Sequence, residues 1–394
     1  MQKMKIIEFG PDNKKLTKEI YRFQKTLYKN SSQWAPTLKM ELLGSKLLGA
    51  KGLLRADHPF HEHAEVKYFM AKDDDNNTLG TVAAVVNHQH NQYYDEKTGF
   101  FGFFECIEDY EIARKLLDAA RNWLKEQGMS TMRGPASFSS NEPIGLLIDA
   151  FDQTPFMYTP YNFPYYQNFL EKYGFKKTMD LLAELLPVEM SSSQEEVKRR
   201  ERMARVVEKI KKRYNITLED FNQKKPRRHL EEIRDIYKEA WKDNWGFVPL
   251  TEKEFEILAE NLKMAADPQL VKIAYVEGKP AAFIGALPDI NEPLATSKKS
   301  PQIFQLLKIL WWLWRKKFTR VRLLLFGIKE EYRKMGLDAV LFMEQFADAQ
   351  NSNRNYKECE ISWLLETNNL VIQAGKKLNA EVYKTWRLYD YPLS

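Results

Sequence analysis

The apolar positions of the chain fall into one series of strand-like and helix-like stretches that occurs twice. Met4 to Phe9 reads as a short strand and Lys15 to Tyr28 as a helix. Val66 to Met70 and Thr81 to Val86 flank a turn rich in Asp, Asn and Gly, Asp73 to Gly80, which predicts a hairpin. Gly99 to Cys106 is an aromatic strand, and Ile112 to Gln127 takes helical spacing up to Gly128, a residue suited to a C-cap. The series closes on Tyr173, Gly174 and Phe175. Ser193 with Glu196 then makes a capping box, and the Lys- and Arg-rich helix it opens, through Lys212, predicts a solvated connector. Helices follow at Glu231 to Trp241 and Thr251 to Met264, then a hairpin of Val271 to Tyr275 with Ala281 to Leu287. The buried strand Leu323 to Phe326 leads into a helix with Leu337, Val340, Leu341 and Met343 on its apolar side. Strand Glu358 to Leu365, helix Asn368 to Lys377 and a strand through Tyr383 to Tyr389 end the second series.

Two passes through one order predict an α/β protein built as a degenerate tandem repeat, with mixed sheets flanked by helices. The expected boundaries are 1–188, a connector of helix and strand at 189–228, and 229–394 with an insertion at 296–320. In that insertion Ile303, Leu306, Leu307, Leu310, Trp311 and Trp314 keep helical spacing, while Lys308, Arg315, Lys316 and Lys317 supply cations. This chemistry fits a helix lying in a membrane interface through Trp311, Trp312, Trp314, Arg315, Lys316 and Lys317. Phe304, Ile309, Trp312 and Leu313 broaden the apolar face, which fits equally a helix buried between the units or in a dimer.

Composition narrows the setting. At 394 residues with 44% apolar content, the chain has material for two or three domains and is not a disordered polymer. A net charge of +6 favours an anionic partner without naming one, and nothing calls for a specific nucleic acid. Cys106 and Cys359 have no metal or redox spacing. With no secretion signal at the N-terminus and no spanning apolar run, the expected location is the cytoplasm, with contact at the inner face of the membrane. His58, His61 and His63 invite a metal reading, but no second ligand cluster completes a shell, and no metal is expected.

The chemistry concentrates in Arg322 to Phe342. Between its strand and its helix lies Arg333, Lys334, Met335, Gly336. Gly336 permits a tight turn, and the free N–H groups of the helix start, flanked by two cations, form a site for a pyrophosphate. The equivalent turn after Cys106 has no glycine and three acidic groups, so the first unit is expected to repel a phosphate. Tyr165 and Tyr166, in an aromatic cluster that also reads as ordinary packing, are candidates for an acceptor groove, with Trp245 and Trp363. Asp289, Glu292 and Glu366 are the candidate carboxylates for general acid–base work.

The turn resembles the phosphate loop of the GCN5-related N-acetyltransferases: Arg333, Gly336 and Asp338 stand at its spacing, with Ala339 one place later. Asp338 departs from that pattern, because a carboxylate beside a pyrophosphate is unfavourable unless it points away. The runs His58 to Phe69, Gly99 to Glu105, Arg133 to Asp149, Tyr161 to Glu184 and Trp241 to Thr251 resemble, more specifically, the YghO-like bacterial N-acyltransferases, a tandem group that includes bacterial ceramide synthases. The resemblance implies acyl-CoA as cofactor, an amide product and, less directly, a lipid amine acceptor. It implies that Phe326, Gly327 and Ile328 bind the pantetheine arm, and that Lys334, Met335, Leu337 and Asn368 join Arg333, Gly336, Asp338 and Ala339 around the cofactor. The usual leaving-group acid of the GCN5-related family is a Tyr seven residues after an Asn at the start of the last helix, and counting from Asn368 this chain has Gly375 there. Two rival functions remain: an aminoacyl transferase of the peptidoglycan type using charged tRNA, and a non-enzymatic acyl-lipid-binding module.

Overall fold

The computed structural model describes residues 4–188, 194–265, 267–351, 354–377 and 379–393. In chain order, the first series gives β1 (Lys5–Phe9), α1 (Lys14–Leu27), α2 (Lys39–Leu43), β2 (Ala64–Lys72), β3 (Thr78–Asn87), α3 (His88–Tyr94), β4 (Thr98–Cys106) and α4 (Tyr110–Glu126). It continues through β5 (Thr131–Gly134), β6 (Leu146–Leu147), α5 (Tyr165–Tyr173) and β7 (Lys176–Pro187). The second comprises α6 (Gln194–Arg213), β8 (Ile216–Asp220), α7 (Pro226–Trp241), α8 (Glu252–Ala265), β9 (Val271–Val276), β10 (Lys279–Pro288), α9 (Asn291–Ala295) and α10 (Gln302–Trp314). After these come β11 (Arg320–Ile328), α11 (Leu337–Asn351), β12 (Glu358–Leu365), α12 (Asn369–Lys377) and β13 (Glu381–Pro392).

Local chemistry sets many of the ends. Asn13 accepts the N–H of Leu16 to cap α1, and Asp109 caps α4 through Glu111. Gly174 ends α5 in the left-handed conformation and turns the chain into β7. Within α4, Ile112, Ala113, Leu116, Leu117, Ala120 and Leu124 form one buried stripe laid against β2 and β3.

All these strands join one mixed sheet in the order β1-β2-β3-β4-β5-β13-β7-β12-β11-β10-β9-β8, with β6 pairing β13. The two units are therefore not separate sheets. Each surrenders its last strand to the other: β7 lies between β13 and β12, while β13 lies between β5 and β7. A long ladder joins these exchanged strands, from Glu381 opposite Leu185 to Asp390 opposite Lys176. Trp386, fully buried on β13, donates its indole N–H to the carbonyl of Pro160 in the first unit, at 2.9 Å.

The basic helix α6 is exposed along most of its length, as a connector is expected to be, but one side of it packs on the second unit. Its Val207 is buried, Ile210 packs beneath Gly336, and Lys211 pairs with Glu344 of α11 at 2.8 Å. Its cations face outward because Val207, Ile210 and Tyr214 supply an apolar stripe for the core on the other side.

Candidate active site

β11 and β12 run parallel and hydrogen-bonded only from Arg320 to Leu323 against Glu358 to Ile361. Beyond Leu323, β11 stays paired with β10 and β12 with β7, so the two strands separate while each remains anchored on its outer side. Main-chain groups on the inner edges of the opening lose their ladder partners, and such groups must find another partner or water. A cavity of about 2000 Å³ fills this opening and extends between the two units.

Phe326, Gly327 and Ile328, which the resemblance implies for the pantetheine arm, line it from β11, although the carbonyl of Phe326 already accepts the indole N–H of Trp241 at 2.9 Å. At the far end of the opening Gly336 takes φ +77°, a region that penalises residues with a Cβ, and starts α11. The N–H groups of Leu337, Asp338 and Ala339 have no acceptor among the described residues. The predicted loop divides by facing. Arg333, Asp338 and Ala339 reach the cavity wall, whereas Leu337 and Met335 turn into the core and hold the loop down. Lys334 is exposed and off the wall, and Asp338 does not turn away from the site: it is exposed at the rim. Asn368 lines the cavity at the start of α12. Arg199, Arg200 and Met203 of α6 close the side next to the loop. Sequence reading assigned those arginines to solvent; the signal for their placement was the spacing of Met203, Val207, Ile210 and Tyr214.

None of the three predicted carboxylates lines the cavity. Asp289 is fully buried, accepting the N–H groups of Met157 at 2.8 Å and Asn291 at 3.1 Å and facing Arg320. Glu292 accepts the N–H groups of Thr319 at 3.0 Å and Arg320 at 3.1 Å and so fixes the entry to β11. Glu366 bonds Lys177 at 2.7 Å and the N–H of Asp180 at 3.0 Å. All three are spent on holding chain segments together. Tyr165 and Tyr166 are likewise away from the cavity. Their hydroxyls donate to the carbonyl of Cys106 at 2.7 Å and to Glu105 at 2.8 Å, and Tyr28 reaches the same Glu105 at 2.6 Å. These phenols close the end of β4, where the acidic turn was expected to exclude phosphate. Trp245 and Trp363 do line the cavity.

Two residues that sequence reasoning passed over shape the site. Arg322 is buried at 1% exposure on the cavity wall; it donates to the carbonyl of Met157 at 2.7 Å and to Ser362 Oγ at 2.9 Å, and lies over Trp363 at 4.9 Å. It thereby ties a loop of the first unit to the opening in the second. Glu184, on the exchanged strand β7, lines the cavity with 0% exposure, and neither carboxyl oxygen has a hydrogen-bond partner among the described residues. Burial pushes its pKa up to about 7. A Cβ at Gly375 would stand 1.8 Å from its Oε2, so the carboxyl occupies the space that any side chain at 375 would need.

Among the described residues, no group of three His, Cys, Asp or Glu converges to hold a metal ion. His61 Nε2 meets the carbonyl of Leu53 at 3.2 Å, and His63 Nε2 meets Glu254 at 3.0 Å.

The chain is 31% identical over 382 residues to protein YghO of Escherichia coli, covering 96% of this chain and 93% of that protein. It is 29% identical to the bacterial ceramide synthase of Caulobacter vibrioides, over 85% of this chain and 86% of the relative. Among solved structures, a tandem GNAT protein from the clavulanic acid biosynthesis pathway superposes with a TM-score of 0.58 at 10% identity, covering 100% of this chain and 99% of that one. No family model matches the chain.

Proposed function

The chain belongs to the YghO family and has the tandem fold of the GCN5-related N-acetyltransferases, and on that premise we propose that it transfers an acyl group from acyl-CoA to a lipid-like amine. One observation carries the reading: the strands β11 and β12 part at a large cavity whose far end is the Arg333 to Ala339 turn and the start of α11. The residues present fit the cofactor. Free amides at the positive end of a helix suit a diphosphate, and Arg333 adds a cation. The open inner edge of β11 suits an amide-bearing arm, which could be held as an added strand. When bound, acyl-CoA would supply an activated acyl carbonyl at the strand opening.

The chain's own part is positioning and proton handling. Trp363, stacked under Arg322, gives a rigid apolar wall, and Phe342, Met343 and Phe346 of α11 line a greasy channel that suits an extended acyl chain. Glu184 holds its proton near neutrality and stands at the wall, where it can give that proton to a departing thiolate. The size of the cavity supports two substrates bound together, which is what proximity catalysis requires.

The membrane supports delivery of both. Among the described residues, no helix is long and apolar enough to cross a membrane. On α10, Ile303, Phe304, Leu307, Leu310, Trp311 and Trp314 are exposed, with Lys308, Arg315, Lys316 and Lys317 beside them. Ile309 packs inward with Leu38, Met40 and Met157, and Trp312 against Phe318. An apolar face with a cationic collar suits an anionic bilayer.

The test is thiol release from a long-chain acyl-CoA on addition of a long-chain amine, with acyl-CoA affinity measured by calorimetry. Arg333→Glu should weaken acyl-CoA binding at least tenfold at unchanged melting temperature. A wild-type protein that binds no acyl-CoA, or a variant with unchanged affinity, overturns the assignment.

A further inference from the structure

After α2 the chain makes a short closed loop at residues 44–52. Its neck is tight: Ser45 and Ala50 exchange both main-chain hydrogen bonds, at 2.8 and 3.0 Å, and a Cβ on Gly52 would stand 2.2 Å from the nitrogen of Gly44. Gly44 and Gly49 take φ +73° and +66°, which sets the reversal at both ends. A neck of this kind holds the tip away from the body, and the tip is Leu47 and Leu48, exposed by 92% and 51%. Single exposed leucines are ordinary. Two adjacent ones, on a loop whose backbone is held closed, form apolar surface with little packing of its own.

Charge and position indicate what covers that tip. Between Glu41 and Asp57 the chain has no acidic residue, and the exposed Lys46 and Lys51 flank the leucines without an ion-pair partner among the described residues. The surroundings of α10 are alike: no Asp or Glu occurs between Glu292 and Glu330, and the cations at its end lie against indoles, Lys317 over Trp311 at 4.0 Å and Arg315 over Trp314 at 5.6 Å. The two elements also rest on one support. Ala50 of the loop and Leu306, Ile309 and Leu313 of α10 pack into a single apolar cluster with Leu38 and Met40. That cluster reaches the cavity: Met40, Ala50 and Leu324 belong to both, and Leu48, Gly49 and Lys51 line the cavity beside Ala50. Leu48 is thus half in solvent and half on the wall, which places it at the mouth.

We propose that this loop is a second point of contact with an anionic bilayer, inserted beside α10, and that it forms the threshold across which an apolar acceptor passes from the bilayer into the cavity. The inference rests on the acyl-transfer reading for what crosses the threshold, whereas the contact itself stands on the apolar tip and its cations. Leucines at the acyl boundary with lysines at the phosphates meet both layers of a lipid surface at once; a second copy of the same cationic face would repel them. A long-chain lipid drawn out through water exposes its tail. One that slides past Leu48 exchanges bilayer for the apolar wall of Met40, Leu42 and Ile144 without that exposure.

Leu47 is the residue to change, since it is off the cavity wall and its replacement removes little packing. Leu47→Cys carrying an environment-sensitive dye should shift its emission to the blue on phosphatidylglycerol-containing vesicles and be quenched by brominated lipid, with the labelled wild type, whose Cys106 is buried and Cys359 partly buried, as background. Leu47→Asp should bind those vesicles about threefold more weakly at unchanged melting temperature and acyl-CoA affinity. With octadecylamine in the vesicles, thiol release from octanoyl-CoA should slow about fivefold in Leu47→Asp, while release with octylamine in free solution should stay the same. A silent dye, or unchanged vesicle binding in Leu47→Asp, overturns the contact; equal slowing with both amines overturns the threshold. Should the wild type release no thiol with either amine, the acyl-transfer reading falls, and the dye and vesicle binding alone decide the contact. A dimer that Leu47→Asp dissociates, in a protein that binds no vesicles, would assign the tip to a second copy and overturn the proposal.

Discussion

Glu184 shows how one side chain can be structurally expensive and still in place. Both its oxygens are buried and lack partners among the described residues, and its pKa rises from the usual 4.5 to about 7. The folded chain therefore keeps a proton that the unfolded chain gives up, so this group's contribution to stability declines as pH rises from about 4.5 to about 7 and is lost above that. Glu184→Gln removes the ionisation. By urea unfolding the variant should match the wild type near pH 4 and exceed it by about 1 to 2 kcal/mol at pH 8, a figure discounted for access from the cavity. A variant with the wild-type pH slope would show that another group titrates. Gly375 has a related role: its missing side chain is what admits the carboxyl.

At the scale of elements, α10 and α6 look alike in sequence, since both carry many cations beside apolar positions, yet they are used in opposite ways. α6 turns Val207 and Ile210 into the core under the Arg333 to Gly336 turn and so helps shape the cavity wall. α10 buries Gln305 and Ile309 and leaves its broad remaining face exposed, with Trp314 at 74%. Replacing Ile303, Leu307, Trp311 and Trp314 by Ser removes little packing, because these side chains are already in solvent. Co-sedimentation with phosphatidylglycerol-containing vesicles should fall at least fivefold while the melting temperature moves by no more than about 2 °C. Unfolding of that variant instead would mean that the exposed face is covered by protein.

For the whole molecule, the exchange of β7 and β13 makes each unit's sheet incomplete without the other. β13 supplies the neighbour of β5, buries Trp386 in the first unit's core and pairs with β7 from Lys176 to Leu185. Ending the chain at Ala380 should therefore unfold both halves, and intact protein should melt in one calorimetric transition. A first unit that survives the truncation with its near-UV circular dichroism unchanged would contradict the exchange as the source of cohesion. The same arrangement explains the site: Glu184 reaches the second unit's cavity only because its strand crosses over.

Local pattern determined most of what is local. Hairpins, the strand before the Arg333 to Gly336 turn, Gly336 and the helices that flank the sheet follow from periodicity, caps and glycine, all of which act over a few residues. Whereas the place of Phe326 to Ile328 was implied only by the family resemblance, the tandem order was legible for the same reason. β7 was not, because Lys176 to Pro187 is buried on both sides as a central strand and carries no clean alternation, and its partners lie nearly 200 residues away in the chain. Asp289, Glu292 and Glu366 read as catalysts because a free carboxylate and a tethered one are identical in sequence. Only the tertiary structure, by deciding which main-chain N–H or cation each meets, left Glu184, Glu41 and Glu142 facing the cavity and bound the others in place.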